Sequence, residues 1–182
     1  MKIFSSVVWV VWVVWVVSVA LVALVAVGLA PSVAEAQMVI VVRHAERADA
    51  GAAAGNAMTA APDPELSAAG KARAQMLAAM LKDAGVTAIY TTEFRRTKDT
   101  AAPLAEALKI SAEVVSSRDQ AALIAKIKAH ATGAVLVVGH SNTVPTIIKA
   151  LGGAGVTVAD NEYDSLFFVA PGGVTTRIRF KP

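Results

Sequence analysis

The sequence predicts an α/β domain, a three-layer α/β/α sandwich whose sheet is mostly parallel and carries an antiparallel hairpin at one edge. Short apolar runs rich in valine and isoleucine recur along the chain, as in strands buried on both faces. Segments with apolar residues at helical spacing separate these runs, which is the order expected of a parallel sheet covered by helices. The last two predicted strands follow each other across Pro171-Gly172-Gly173, a hairpin-like turn.

The predicted elements follow in order along the chain. Strands are expected at Met38–Val42, Val86–Tyr90, Ala112–Val115, Ala134–Val138, Ser165–Ala170 and Val174–Phe180. Helices are expected to begin after Ser67, after the segment 91–98, at Asp119 and at Asn142, and to end near Gly85, Leu108, His130 and Leu151. Residues 49–64 are rich in alanine, glycine, asparagine and proline, which indicates a surface loop.

Residues 1–36 are predicted to be a signal peptide, or else an uncleaved N-terminal membrane anchor, and residues 37–182 to form one domain. The apolar run Val7–Ala30 precedes Ala34-Glu35-Ala36, a pattern that signal peptidases accept. The run is longer than the usual signal core of roughly 7–15 residues, and it is long enough to span a bilayer. The overall layout favours the cleaved signal peptide. Either alternative exports the domain to the periplasm or the exterior and limits membrane contact to this segment.

Charge and cysteine content exclude several classes of function. Without Lys2 and Glu35, the 17 basic and 14 acidic residues become 16 and 13, with no block of like charge that would indicate nucleic-acid binding. The chain has no cysteine, which excludes a disulfide framework, a cysteine nucleophile and a cysteine-ligated metal. No H-E-x-x-H segment or compact His/Asp cluster indicates another metal site, so neither metal nor cofactor is expected.

Cationic residues follow three of the predicted strands. Arg43 and His44 follow the first, Arg95 and Arg96 the second, and His140 the strand at 134–138. Ligands of such sheets bind at the carboxyl ends of the strands. This edge of the sheet is therefore the expected active site.

The segment Gly139-His-Ser-Asn-Thr143 offers two candidate nucleophiles. It matches four of the five positions of the G-x-S-x-G turn that exposes a nucleophilic serine, here Ser141. That fold places its catalytic histidine after the serine, and no histidine follows His140. A neutral imidazole can instead attack phosphorus, while guanidinium groups stabilise the negative charge on the phosphoryl oxygens. The second interpretation uses the histidines and arginines of all three strand ends and is favoured.

Four motifs resemble those of the histidine phosphatase superfamily, the phosphoglycerate-mutase-like enzymes. They occur in the family's order, with Ala45, Asp99, Gly139 and Ser141 as departures from its usual residues. The motifs are Val41-Val-Arg-His-Ala-Glu46, Leu66-Ser-Ala-Ala-Gly70, Tyr90-Thr-Thr-Glu-Phe-Arg-Arg-Thr-Lys-Asp-Thr-Ala101 and Val137-Val-Gly-His-Ser-Asn142.

The resemblance implies a phosphoglycerate-mutase-like fold and a role for each matching residue. His44 becomes the nucleophile that is phosphorylated, and Arg43, Arg96 and His140 form the phosphate pocket. Asn142 and Ser141 are further candidate substrate contacts.

The resemblance also implies a general acid that protonates the leaving oxygen. Asp119 is the candidate for this role, with Glu113 and Glu93 as alternatives. The segment Pro103–Ala121 lacks the family's L-x-E…G-x-W-E-G pattern, which argues against mutase activity and for simple hydrolysis.

Other polar residues near the motifs have structural interpretations. Arg95, Arg47 and Lys98 are expected in surface ion pairs, and Glu46 is expected to pair with Arg43 or Arg47. His130 is interpreted as a helix C-terminal partner.

Three functions remain at this stage. The favoured one is an exported phosphatase acting on phosphate monoesters of a small substrate. The alternatives are a phosphate-ligand binding or sensor protein on the same scaffold, and a serine hydrolase using Ser141.

Overall fold

A computed structural model describes residues 37–49 and 63–181 of the chain. The predicted signal peptide or anchor, and most of the predicted loop 49–64, lie outside the described residues. Within residues 37–49 and 63–181, no helix is long and apolar enough to cross a membrane.

The described strands form one six-stranded sheet in the order β3-β2-β4-β1-β5-β6. Neighbouring strands from β3 to β1 run parallel, whereas β5 lies antiparallel to β1 and β6 antiparallel to β5. The strands are β1 (Val39–Arg43), β2 (Val86–Thr91), β3 (Glu113–Val114), β4 (Ala134–Gly139), β5 (Ser165–Val169) and β6 (Thr175–Arg179). The mostly parallel sheet with an antiparallel edge hairpin is therefore confirmed.

Within the described part of the chain, four α-helices cover the two faces of this sheet, which confirms the three-layer arrangement. They are α1 (Ala68–Leu81), α2 (Arg95–Leu108), α3 (Gln120–Ala129) and α4 (Thr143–Ala150). Alternate residues of β1 enter opposite cores: Ile40 and Val42 pack in the cluster with α1 and α2, while Val39 and Val41 pack in the cluster with α3 and α4. A strand with both faces covered has to be continuously apolar, and this explains the VIVV run.

The segment Leu66–Gly70 fixes the start of α1 against the chain that follows β1. The Ser67 side chain accepts a hydrogen bond from the Gly70 N–H at 3.0 Å, as an N-cap residue does. The Ser67 N–H donates to the Glu46 carbonyl at 2.9 Å. A Cβ on Gly70 would lie 2.2 Å from that same carbonyl oxygen, so only glycine fits. This glycine therefore permits α1 to pack directly on the end of the first motif.

Most predicted boundaries agree with the structure to within one or two residues, and the exceptions have physical causes. The helix α1 ends at Leu81, before Gly85, because residues 82–85 form a turn that brings the chain to β2 with Gly85 at a φ of +67°. The helix α2 begins at Arg95, inside the segment 91–98 after which it was expected, because the Thr97 and Lys98 N–H groups already donate to the Phe94 carbonyl. The strand β3 has only two residues because it pairs with β2 only at Tyr90 and Thr91.

The expected partner of Glu46 was wrong. Its carboxylate binds Arg73 of α1, with Nη2 donating to Oε1 at 2.6 Å and Nε to Oε2 at 2.9 Å, and not Arg43 or Arg47. Helix α1 packs directly behind the first motif, which brings Arg73 to that carboxylate and leaves Arg43 free to face the strand ends.

Candidate active site

The carboxyl ends of β1 and β4 bring the two candidate histidines together. The register pairs Arg43 with Gly139, and the His44 N–H donates to the Gly139 carbonyl at 2.9 Å. The residues that follow, His44 and His140, therefore lie side by side, with ring centroids 5.3 Å apart. Both histidines are buried, at 4% and 8% exposed. The predicted pairing of the histidines across the strand ends is the geometry observed.

The His44 imidazole is held as a neutral base. Its Nδ1 lies 2.8 Å from the Ala45 carbonyl oxygen, which can only accept, so Nδ1 carries the proton and Nε2 keeps its lone pair. Burial lowers the pKa of His44 from 6.5 to about 3; the hydrogen bond to Ala45 opposes this, and the positive charges of Arg43 and Arg96 lower it further. At neutral pH the ring is unprotonated and can act as a nucleophile.

The His140 imidazole, which follows β4, contacts two residues that follow β2. Its Nε2 lies 3.1 Å from the Thr92 hydroxyl and its Nδ1 lies 3.4 Å from Nη2 of Arg96. The guanidinium can only donate, so the imidazole proton sits on Nε2, facing Thr92. Burial, with the charge of Arg96, lowers the pKa of His140 to about 4.

Arg43 is anchored by a segment that joins α4 to β5. Its Nη1 donates to the Ala159 and Glu162 carbonyls at 2.9 and 3.1 Å, and its guanidinium lies 4.1 Å from the centre of the Tyr163 ring. No carboxylate among the described residues forms an ion pair with Arg43. Its charge is therefore available to a bound anion.

Arg96, and not Arg95, enters the site. The Arg96 side chain is 13% exposed and stacks on the Phe94 ring at 4.2 Å, with Asp63 at 3.6 Å from Nη1. The Arg95 side chain is 55% exposed and pairs with Asp99 at 3.3 Å and Glu65 at 3.7 Å. The predicted register of the two arginines is thus the one observed.

A cavity of about 560 Å³ opens above these strand ends. It is lined by both histidines together with four arginines, one carboxylate and several neutral side chains, among them Arg43, Arg47, Arg96, Arg118, Asp160, Tyr163, Ser141 and Asn142. Four guanidinium groups facing one carboxylate make the cavity suited to an anionic ligand.

Asp119 and the other proposed acids do not line this cavity. Asp119 caps α3, its carboxylate accepting from the Ala122 N–H at 2.9 Å, and it does not line the cavity. Glu113 pairs with Lys126 at 2.6 Å, and Glu93 accepts both the N–H and the hydroxyl of Ser117 at 2.7 Å. None of the three carboxylates is placed as a proton donor in this structure.

The first N–H groups of α4 are engaged within the turn after β4. The N–H groups of Thr143 and Val144 donate to the His140 carbonyl, at 3.1 and 2.9 Å, so these donors of α4 do not face a ligand. The Thr143 hydroxyl accepts from the His140 N–H at 2.8 Å, and a Cβ on Gly139 would lie 2.8 Å from that hydroxyl. Gly139 and Thr143 therefore fix the conformation of the turn, which orients the His140 side chain.

Ser141 has no histidine partner among the described residues. Its hydroxyl donates to Asp160 at 2.8 Å. A serine nucleophile needs a base within hydrogen-bond reach, and the neighbouring imidazole, His140, is engaged by Thr92 and Arg96. The arrangement does not support the serine hydrolase alternative.

Several residues of the site were missed by sequence reasoning. Thr92 orients His140, Thr100 accepts the Ala45 N–H at 2.9 Å while donating to the Arg96 carbonyl at 2.7 Å, and Tyr163 and Asp160 come from the segment before β5. Both threonines lie within the third motif, so that motif could have identified them from the sequence. The segment 152–164 has no periodic pattern, and only the position of β5 beside β1 brings it to the site.

Residues 39–119 match the model of the histidine phosphatase superfamily (branch 1). The matched region is similar to that superfamily, and the domain has the phosphoglycerate-mutase-like histidine phosphatase fold. His44, Arg43 and Arg96 lie inside the matched histidine phosphatase region, and His140 lies beyond it.

Solved structures share the histidine phosphatase fold at low sequence identity. "Mycobacterial hydrolase 1" is 14% identical with a TM-score of 0.57, covering 81% of this chain and 99% of that chain. The mycobacterial glucosyl-3-phosphoglycerate phosphatase Rv2419c is 15% identical with a TM-score of 0.56, covering 81% and 99%. Phosphoserine phosphatase from Entamoeba histolytica, as a histidine-to-alanine mutant in complex with phosphoserine, is 13% identical with a TM-score of 0.56, covering 80% and 96%. No curated protein matches the sequence at a significant level.

The buried neutral histidines give a prediction for stability. The unfolded chain protonates histidine near pH 6.5, whereas folded His44 and His140 stay neutral down to about pH 3 and 4. The unfolded state therefore binds more protons in this window, and the free energy of unfolding should fall by about 1–2 kcal/mol per histidine from pH 7 to pH 5. Urea denaturation at both pH values measures this loss. In His44→Gln the loss should be smaller, and an equal loss in both proteins would contradict the neutral state of His44.

Proposed function

We propose that this protein is an exported phosphatase that hydrolyses phosphate monoesters through a phosphohistidine intermediate on His44. The observation that carries the proposal is the pairing of His44 and His140, both buried and neutral, in a cavity that also contains Arg43 and Arg96. Neighbouring folds support it: the Entamoeba protein is a phosphoserine phosphatase found with phosphoserine, and the mycobacterial Rv2419c phosphatase is found with VO₃.

The first half of the reaction follows from the positions of these groups. Nε2 of His44, free of a proton, attacks phosphorus and forms the P–N bond as the P–O ester bond breaks and the alcohol part of the substrate leaves. The guanidinium groups of Arg43 and Arg96 bind the phosphoryl oxygens. A phosphoryl oxygen replaces Nη2 of Arg96 as the neighbour of Nδ1 of His140. Its negative charge raises the pKa of both imidazoles above the values of the empty site, so that His140 can donate a proton to a phosphoryl oxygen.

The second half of the reaction transfers the phosphoryl group to water. A water molecule attacks the phosphohistidine, the P–N bond breaks, and inorganic phosphate leaves. The segment Pro103–Ala121 lacks the family's L-x-E…G-x-W-E-G pattern, which supports hydrolysis over mutase activity.

Turnover of p-nitrophenyl phosphate by the purified protein, in buffer containing a chelator, tests the proposal. We expect release of p-nitrophenol without added metal. Binding of phosphate esters without turnover between about pH 4 and pH 9 would instead favour the binding or sensor alternative. Labelling of Ser141 by a fluorophosphonate would revive the serine hydrolase.

Export rests on the segment 1–36 alone, and we propose cleavage after Ala36. N-terminal sequencing of the mature protein should begin at Gln37. An intact N-terminus recovered in the membrane fraction would favour the anchor.

A further inference from the structure

The catalytic cavity contains a carboxylate to which the two reaction steps above give no role. Asp160 is the one acidic side chain among the described residues that line it. We infer that Asp160 is the group that protonates the leaving oxygen and later deprotonates water, and that Ser141 positions it. This inference rests on the proposed phosphatase function.

Hydrogen bonds hold the backbone on both sides of Asp160 against the site. Arg43 donates to the carbonyl of Ala159 at 2.9 Å and to that of Glu162 at 3.1 Å. Arg43 directly precedes the nucleophile His44. The position of Asp160 is thereby coupled to that of His44, although the two residues are far apart in sequence and Asp160 lies in a segment without helix or strand.

Ser141 holds the Asp160 carboxylate from the opposite side. Its hydroxyl donates to Oδ1 at 2.8 Å, and Ser141 directly follows His140. No described side chain donates to Oδ2, so this oxygen can carry the exchanged proton. The interaction also accounts for a serine at a position where the resembling motif usually has glycine, because glycine could not orient the carboxylate.

The other carboxylates near the cavity are held by strong partners. Asp49 accepts two hydrogen bonds from Arg47, each at 2.7 Å, and the Asp63 carboxylate lies 3.6 Å from Arg96 and accepts the Arg95 N–H at 2.7 Å. The hydrogen bonds from Arg47 hold the pKa of Asp49 below its usual range, so Asp49 is a poor proton donor. Asp160 has only the neutral hydroxyl of Ser141 as a partner among the described residues.

Asp160 gives up a proton in the first step and regains one in the second. In the first, the lone pair of His44 Nε2 forms the P–N bond, the P–O ester bond breaks, and the leaving oxygen takes the proton from the Asp160 carboxyl group. In the second, the Asp160 carboxylate removes a proton from water as the water oxygen attacks phosphorus. The P–N bond then breaks, its electron pair returns to Nε2, and inorganic phosphate and the protonated carboxyl group result.

The dependence on the leaving group distinguishes a proton donor from a structural residue. p-Nitrophenolate departs without a proton, whereas the alkoxide of an alkyl phosphate needs one. In Asp160→Asn, kcat/KM for an alkyl phosphate such as glycerol 2-phosphate should fall about 10²–10⁴-fold, the usual range for general acid catalysis. The kcat/KM for p-nitrophenyl phosphate should fall less than about tenfold, because it reports only the steps up to phosphorylation of His44 and the acid contributes little to that departure.

Matched variants complete the test. Ser141→Ala should show a smaller loss with the same leaving-group dependence, and Ser141→Thr, which keeps the hydroxyl, should restore activity. Asp83→Asn makes the same chemical change at an exposed residue outside the cavity and should leave both rates unchanged. Asp160→Glu, which keeps the carboxyl group, should retain part of the alkyl phosphatase activity.

Three outcomes would overturn the assignment. The first is an equal loss of kcat/KM on both substrates in Asp160→Asn, and the second is no loss of kcat/KM on either. The third is a leaving-group-dependent loss in Asp119→Asn or Tyr163→Phe but not in Asp160→Asn. Failure of the phosphatase function itself is recognised separately, since His44→Ala would then keep the activity of the unaltered protein on p-nitrophenyl phosphate.

Discussion

Replacing His44 by alanine should lower kcat/KM for an aryl phosphate by at least about 10⁴-fold, the scale of loss when a covalent nucleophile is removed. Nε2 of His44 carries the lone pair that attacks phosphorus, because Nδ1 holds the ring proton and lies 2.8 Å from the Ala45 carbonyl oxygen. Alanine removes the bond-forming atom and leaves the arginines in place. Phosphate binding should therefore weaken far less than turnover.

His130→Ala is the matched control for this prediction. His130 is the residue that caps the end of α3, and its Nε2 lies 2.8 Å from the Thr87 hydroxyl. It does not line the cavity. Its replacement should leave kcat/KM unchanged. Comparable losses in the two variants, with both folded by circular dichroism, would contradict the assignment of His44.

Replacing Arg96 by alanine should reduce kcat/KM by about 10³-fold or more, because the guanidinium stabilises charge on the transferring phosphoryl group. Its side chain is largely buried, stacks on Phe94 and reaches His140, so it is fixed before substrate binds. Arg96→Lys keeps the charge but loses the planar pair of donors, and we expect an intermediate loss. Steady-state kinetics with p-nitrophenyl phosphate measure both.

Arg95→Ala removes the same side chain from the adjacent position and is the control. Arg95 points to solvent and pairs with Asp99 and Glu65, so the loss should be less than about twofold, as for an exposed ion pair of small energetic value. The reverse order of effects would show that the register of the third motif is wrong.

The sequence predicted the sheet and the strand-end residues because both depend on local patterns. Continuous apolar runs such as Val39–Val42 identify strands covered on both faces, and parallel strands necessarily bring their carboxyl ends to one edge. Arg43, His44 and His140 each lie within two residues of the end of such a run. Their meeting in space therefore follows from the topology alone.

The residues that local patterns did not identify reach the site through tertiary packing. Asp160 and Tyr163 lie in an irregular segment, and β5 brings that segment over the site because it pairs with β1 in antiparallel register. Asp119 was expected as the acid because it lies in the segment where the resemblance implies one, although the family's pattern is missing there. The structure instead uses Asp119 for helix capping, a role that its position before Gln120 also indicates.

Trapping the phosphorylated enzyme tests the central claim most directly. The protein is mixed with p-nitrophenyl phosphate, quenched within milliseconds in base, digested, and analysed by mass spectrometry. The account predicts one phosphate on the peptide containing His44, stable in base and lost in acid, and none in His44→Ala. An acid-stable phosphate on Ser141, or turnover with a pre-steady-state burst and no phosphate at His44, would contradict it.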